Sequence, residues 1–126
     1  MIFPKCRKAP KMGCRPQRQL RFPAHCQWVR GHTCSVPGCK NRDIEAAHFD
    51  GPIPDEDRGG MSERDHDKWA FPLCNWHHEN PLNMQSYHTL GWKRFDALYG
   101  IDSYAIALRM QRASPHRWRW EEREAS

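Results

Sequence analysis

Cys34 and Cys39 lie in C-S-V-P-G-C, and Cys74 follows thirty-five residues past Cys39 in P-L-C-N-W-H-H, which also carries His77 and His78. Two thiols on a tight turn and a later Cys-x-x-His pair supply the four donors of one tetrahedral Zn²⁺ site, here Cys34, Cys39, Cys74 and His77. Pro37-Gly38 is a turn dipeptide that lets the first two sulfurs face a common point. Four protein ligands leave no position for water, so such a site would be closed and structural. The plainer reading of the same residues is a set of unrelated reduced thiols in a core.

Three histidines remain outside that set. His48 ends the short apolar run I-E-A-A-H. An imidazole has an unperturbed pKa close to working pH and can serve as general base on water, although a lone histidine can equally be a satisfied core residue. His78 and His88 are two neutral imidazoles that can hold one divalent cation and leave open positions for a phosphate oxygen and a leaving group. His77 and His78 are adjacent, so on a helix their rings point about 100° apart, one towards the zinc and one towards a groove. The pattern alone leaves open which ring does which. Asp67 precedes the second apolar run and can ligate, hydrogen-bond to the loop that orients His48, or be a solvated loop aspartate. Cys6, Cys14 and Cys26 have poor ligand spacing, even with His25 or His32, and read as free thiols.

These residues need short elements to hold them. Ala24 to Arg30 can make two helical turns, with Trp28 and Val29 facing inward. Ile44 to His48 and Trp69 to Leu73 read as two strands of a hairpin. The stretch between them is rich in Gly, Pro and acids and reads as a loop. A short helix carrying His77 and His78 should stop at Pro81. The spacing predicts one longer helix from Ser86 to Tyr99, with Ser86 as N-cap, Gly100 as C-terminal stop, and Leu90, Phe95, Leu98 and Tyr99 near one face. Asp102 can cap a last helix to about Arg112, after which residues 113–126 read as a loosely ordered charged tail.

The chain has 126 residues, 38% of them hydrophobic, and a mean hydropathy of −0.96. That allows one domain with a small core, of the kind that a metal often completes. Residues 1–42 hold ten Lys or Arg and no acid, while the remaining eighty-four hold ten basic and fifteen acidic residues. Lys5, Arg7, Lys8, Lys11, Arg15, Arg18 and Arg21 lie within residues 1–23 beside Pro4, Pro10, Pro16 and Pro23, so this segment reads as an extended arm along nucleic-acid phosphates, or as a solvated basic tail. The N-terminal M-I-F-P-K-C-R-K has no apolar signal region, and no run reaches membrane-spanning length. A cytoplasmic zinc protein is therefore expected, rather than a secreted disulfide framework.

I-E-A-A-H, D-K-W-A-F-P-L-C-N-W-H-H and H-T-L-G-W-K-R-F-D-A-L-Y-G together resemble the HNH (ββα-metal) endonucleases over about His25 to Ile101. The likeness is to their compact zinc-stapled branch in phages and prophages, that of the Ref-type recombination-enhancing nucleases. The resemblance implies an α+β zinc treble clef at residues 24–112, with C-terminal helices behind it and the extended basic arm at 1–23. It implies that His48 is the water-activating base, that Asp67 takes the place of the usual loop-fixing Asn, and that His78 and His88 bind the catalytic cation (Mg²⁺, Mn²⁺, Ni²⁺ or Zn²⁺). DNA is the implied substrate, with a homodimer or a recombination or replication protein as further partner, in a bacterial cell or phage-infected host. One departure stands out. The position before the base often carries a metal-binding Asp or His, and here it is Ala47, which leaves the site a ligand short unless Asp67, Glu45 or the His88 region supplies one. The rival expectation is therefore a catalytically weak or inactive zinc treble-clef module that binds DNA.

Overall fold

The computed structural model describes residues 21–54 and 66–125, with side chains of the last helix described as far as Glu122. Within these, the two apolar runs pair as an antiparallel two-stranded sheet. β1 (Ile44–His48) lies on β2 (Ala70–Cys74) with Ile44 opposite Cys74 and His48 opposite Ala70. Every residue of β2 is buried. Its Pro72 donates nothing to the ladder, but its carbonyl accepts from the Ser35 N–H at 3.0 Å and the Ser35 hydroxyl at 2.7 Å, which docks the first cysteine turn onto the strand. Trp69, expected to open this strand, belongs instead to a 3₁₀ turn, Asp67–Trp69. His66 Nδ1 caps that turn by accepting the Lys68 N–H at 3.0 Å, so the strand starts one residue late and ends on Cys74.

Six helices surround the sheet among the described residues, which makes this a small mixed α+β fold: α1 (Pro23–Val29), α2 (Asn75–His78), α3 (Tyr87–Leu90), α4 (Trp92–Tyr99), α5 (Ser103–Ala113) and α6 (Trp118–Ala125). Pro23 opens α1, where its missing N–H costs nothing. Val29 and His25 are the buried residues of α1, and Trp28 is only half-buried. The Ser86 hydroxyl accepts from Thr89 N–H at 3.3 Å, Asp102 caps α5 through Ala105 N–H at 3.1 Å, and Gly100 ends α4 in the left-handed region. The single helix expected over 86–99 is broken at Gly91, whose φ of +83° only glycine adopts without strain. The break re-aims the second half: Phe95 is fully buried, whereas Leu98 is 49% exposed.

Trp69, Phe71, Leu73, Phe49, Tyr87 and Phe95 fill the core, and α5 packs along β2 and the 3₁₀ turn. At Gly51 the chain passes between rings, since a Cβ there would lie 2.5 Å from Phe49 Cζ and 2.8 Å from the Trp92 indole. None of the six helices is long and apolar enough to cross a membrane.

The C-terminal segment departs most from expectation. Residues 118–125 form a helix rather than a loose tail, because Trp120, 2% exposed, has a cage to fill. Its ring meets His25 at 4.8 Å, Phe22 at 5.6 Å and His66 at 6.3 Å, all edge to face. Phe22, itself buried, stacks on His66 at 5.2 Å. Phe22 and Pro23 therefore belong to the fold and not to the arm. Residues 1–20, with Lys5 to Arg18 of the expected nucleic-acid set, and residues 55–65 lie outside the described part.

The cage carries a pH dependence. Burial lowers His25 to about 4 and His66 to about 3, in each case against the attraction of Asp67. His25 Nδ1 pairs with Ser114 Oγ at 2.9 Å, and its Nε2 is buried without a partner among the described residues. Both pKa values are depressed, so the unfolded chain, near 6.5, takes up protons first as pH falls. Their contribution is whole above about 6.5 and drains away towards about 4 for His25 and about 3 for His66, at up to about 1.4 kcal/mol per pH unit for each ring. Urea midpoints should fall over that window, and less steeply in His66→Gln. A wild-type profile that stays level would contradict the assignment.

Candidate metal centre and groove

Cys74 closes β2 and stands at the N-cap of α2, so His77 projects from the first turn of that helix towards the same point as the Cys74 sulfur. Cys74 Sγ and His77 Nδ1 are 3.1 Å apart, Cys34 Sγ and His77 Nδ1 3.7 Å, and Cys39 Sγ and Cys74 Sγ 3.7 Å. All four donor atoms lie within 4.8 Å of one another. A tetrahedral Zn²⁺ at about 2.3 Å from sulfur and about 2.0–2.1 Å from nitrogen needs donor–donor edges of roughly 3.5–3.8 Å. Burial raises the Cys34 thiol to about 12, against backbone hydrogen bonds from Cys74 and Val36 that lower it, and burial also pushes Cys74 up. Burial lowers His77, which keeps it in the neutral form that ligates. The donor set thus fits a metal ion such as zinc, whose charge offsets what the thiolates would otherwise cost.

The next residue of α2 turns the other way. His78 Nδ1 lies 2.6 Å from Glu45 Oε1, and Asn75 Nδ2 donates to the second oxygen of Glu45 at 3.0 Å. Partial burial pushes Glu45 up, but the hydrogen bonds from Asn75 and His78 outweigh it, and the carboxyl stays below its ordinary range. A carboxylate on one ring nitrogen fixes the tautomer and leaves Nε2 for a ligand, as in many metal-binding histidines. The His78 ring stands edge-on to His88 with centroids 4.8 Å apart. Glu79 Oε1 lies 4.0 Å from His78 Nε2 and 3.8 Å from His88 Nε2, so the three residues offer one cluster of donors.

His48 lines the same groove of about 440 Å³, together with Arg21, Asp50, His78, Glu79 and His88. Its Nε2 is 2.8 Å from Asp67 Oδ1, and Asp67 Oδ2 accepts the Phe22 N–H at 2.6 Å. Burial would raise Asp67, yet the bonds from His48 and Phe22, with Arg21 Nη1 at 3.6 Å, hold it below its usual value. A neutral His48 therefore donates Nε2–H to a carboxylate and keeps Nδ1 to accept a proton. Asp50 is held from both sides: its N–H donates to the Tyr87 hydroxyl at 3.2 Å, and that hydroxyl donates to its carboxylate at 3.1 Å. Cys26 also approaches Asp67 and His48, and burial, with Asp67 alongside, pushes its thiol up to about 12.

Every described residue singled out in the sequence as a catalytic or metal-binding candidate thus falls at one of two centres joined by α2. Asp67 is neither solvated nor limited to fixing a loop, for it is 5% exposed and bonds His48 directly. Arg21, expected on phosphate, stands beside Asp67. Ala47 is fully buried and contributes no donor to the groove. Glu45, a candidate for the donor missing at position 47, is instead the partner of His78 Nδ1, and one participant escaped the sequence reading, Glu79 between the two imidazoles. Comparison with protein-family models, curated proteins and solved structures finds no match, so the reading of the site rests on its own geometry.

An ion held by Cys34, Cys39, Cys74 and His77 would tie the first cysteine turn to β2 and α2, so stripping it should unfold the domain. Circular dichroism melts with and without chelator test this, with Cys74→Ala expected to behave like the stripped protein. An unchanged melt in demonstrably zinc-free protein would dismiss a structural ion.

Proposed function

We propose that this protein is a metal-dependent DNA endonuclease of the HNH type, built on a zinc treble clef in which the Cys34–Cys39 turn, the hairpin and α2 surround the structural ion. The observation that carries this reading is the convergence on one groove of a His48–Asp67 pair and a carboxylate-oriented His78 next to His88. A base and a pair of open-sided imidazole ligands are what hydrolysis of a phosphodiester requires.

In this mechanism, Asp67 holds the ring of His48 through Nε2–H, and Nδ1 takes a proton from a water that attacks phosphorus in line. Asp67, kept ionised by its hydrogen bonds, stabilises the imidazolium that results. His78 and His88, with Glu79 as a third donor, would hold a divalent cation, which when bound supplies charge to the scissile phosphate and the leaving 3′-oxygen. Arg21 adds a cation to the groove lining, and exposed Trp118, with the Arg119 guanidinium 4.7 Å above its ring, offers a stacking and cationic surface for nucleic acid.

Ala47 favours a second reading, a DNA-binding module without catalysis, because the position that supplies a metal donor in similar nucleases is a buried methyl group here. Mutagenesis separates the two. His48→Ala should keep zinc and DNA binding while plasmid nicking or cutting falls by about 10²–10⁴-fold. His78→Ala should stay folded and be inactive or need far more added cation. Tight DNA binding with no cleavage under Mg²⁺, Mn²⁺, Ni²⁺ or Zn²⁺ would decide for the module, and unfolding of His48→Ala would make that ring a structural residue.

The arm has its own test. Removing residues 1–20 takes away Lys5, Arg7, Lys8, Lys11, Arg15 and Arg18 and spares Arg21 and the Phe22 cage. The domain should fold as before and bind DNA more weakly. Its slope of log affinity against log salt should flatten by up to about 0.9 for each phosphate that the arm neutralises in the intact protein. Identical slopes would mean that the arm does not touch DNA.

A further inference from the structure

Cys26 is the one thiol of the described part that the Cys34–Cys39–Cys74–His77 centre does not use. It projects from α1 towards the base. Its sulfur, a ring nitrogen of His48 and a carboxylate oxygen of Asp67 all lie within 4.8 Å of one another, and His48 Nε2 and Asp67 Oδ1 are 2.8 Å apart. A tetrahedral ion bound to one sulfur, one nitrogen and one oxygen needs edges of roughly 3.3–3.8 Å. The present spacing brackets that range, so small side-chain rotations suffice. Asp67 is already anchored for the task, since Oδ2 takes the Phe22 N–H and leaves Oδ1 to face His48. Arg21, the neighbouring cation, has a side chain 55% exposed and can turn to solvent.

We propose that Cys26, His48 and Asp67 form a second site for a thiophilic divalent ion, zinc in the first instance, and that filling it switches off the base. This inference rests on the nuclease reading only for its second half. Three protein donors leave a fourth position for water or an anion, as in an open zinc site. On binding, the Cys26 sulfur gives its proton to solvent and coordinates as thiolate, and Nε2 of His48 coordinates through its lone pair. A neutral imidazole carries one N–H. With the ion on Nε2, that hydrogen must sit on Nδ1, so the nitrogen that would accept the proton of water has no free lone pair. Base and ligand are thus mutually exclusive states of one ring. The groove would then answer oppositely to metal at its two sides: ions at His78, Glu79 and His88 support cleavage, and zinc at Cys26 stops it. Sulfur selects for soft and borderline ions, so Mg²⁺ would fill the first site and leave the second empty.

The test uses the full-length, zinc-loaded protein titrated with Co²⁺, following the thiolate-to-cobalt charge-transfer absorption. Wild type should bind one further equivalent with such a band, beyond any exchange into the structural centre. Cys26→Ala and Cys26→Ser should lose that increment, with affinity lowered by more than the roughly 10–100-fold typical of losing an outer-shell partner. A circular dichroism melt checks that both variants are folded. In the second arm, zinc is added to Mg²⁺-supported plasmid cleavage, and each rate is taken relative to the same protein without added zinc. Inhibition should be at least about tenfold weaker in the Cys26 variants than in wild type. Matching cobalt titrations for wild type and variants would overturn the site, and equal zinc inhibition would overturn the switch. A Cys26-dependent cobalt band in a protein that cuts under no ion would uphold the metal site and defeat the nuclease reading alone.

Discussion

Strand side chains alternate with a period of two, so a slip of one residue between β1 and β2 would turn His48 away from Asp67 and Glu45 away from His78. The register that pairs Ile44 with Cys74 and His48 with Ala70 is therefore what both centres depend on. Two strands alone hold such a register weakly in water. Here it is pinned at both ends. Asn75 N–H donates to Asp43 at 2.9 Å beside the cysteine cluster, and Phe49 N–H donates to Trp69 at 3.1 Å at the far end. The full burial of β2 adds the apolar part, since any slip would pull Phe71 and Leu73 out of their packing in the core.

The polar machinery is assembled around that sheet with few loose ends. Asp67 is a buried carboxylate, and its ionised form is favoured by hydrogen bonds from the His48 ring and the Phe22 N–H and by the charge of Arg21. One of these is a backbone N–H from the segment entering α1. The helix packed behind that segment, α6, presses Trp120 onto Phe22 and His66. The orientation of His48 thus traces back through Asp67 and Phe22 to a tryptophan near the C-terminus, a line of packing with no counterpart in local sequence.

This separates what was readable in the sequence from what was not. The strands were legible because each is an apolar run between loop-forming residues, and the cysteine set because tetrahedral coordination demands close pairs. Caps at Ser86, Asp102 and Gly100 follow from local hydrogen bonding and backbone freedom, and they stand where expected. The break at Gly91 carried a local sign, a glycine inside a helical pattern, but apolar periodicity on either side masked it. Glu45, on the strand with His48, is legible as a candidate for the missing donor, and Glu79, which adjoins His78, could have been noticed as a nearby acid. The direct bond between His48 and Asp67 spans nineteen residues and the cage around Trp120 spans nearly a hundred. Such pairings depend on tertiary packing, and spacing alone does not contain them.

Gly51 lets the chain thread between the Phe49 and Trp92 rings at a separation that admits no side chain. One residue earlier, Asp50 is clasped through both its backbone and its carboxylate by Tyr87, which is itself 1% exposed. This side of the groove is consequently a fixed wall and not a flap. The loss of conformational freedom needed to shape it occurs when the protein folds, so a ligand arriving there meets a surface already set and loses little affinity to ordering it.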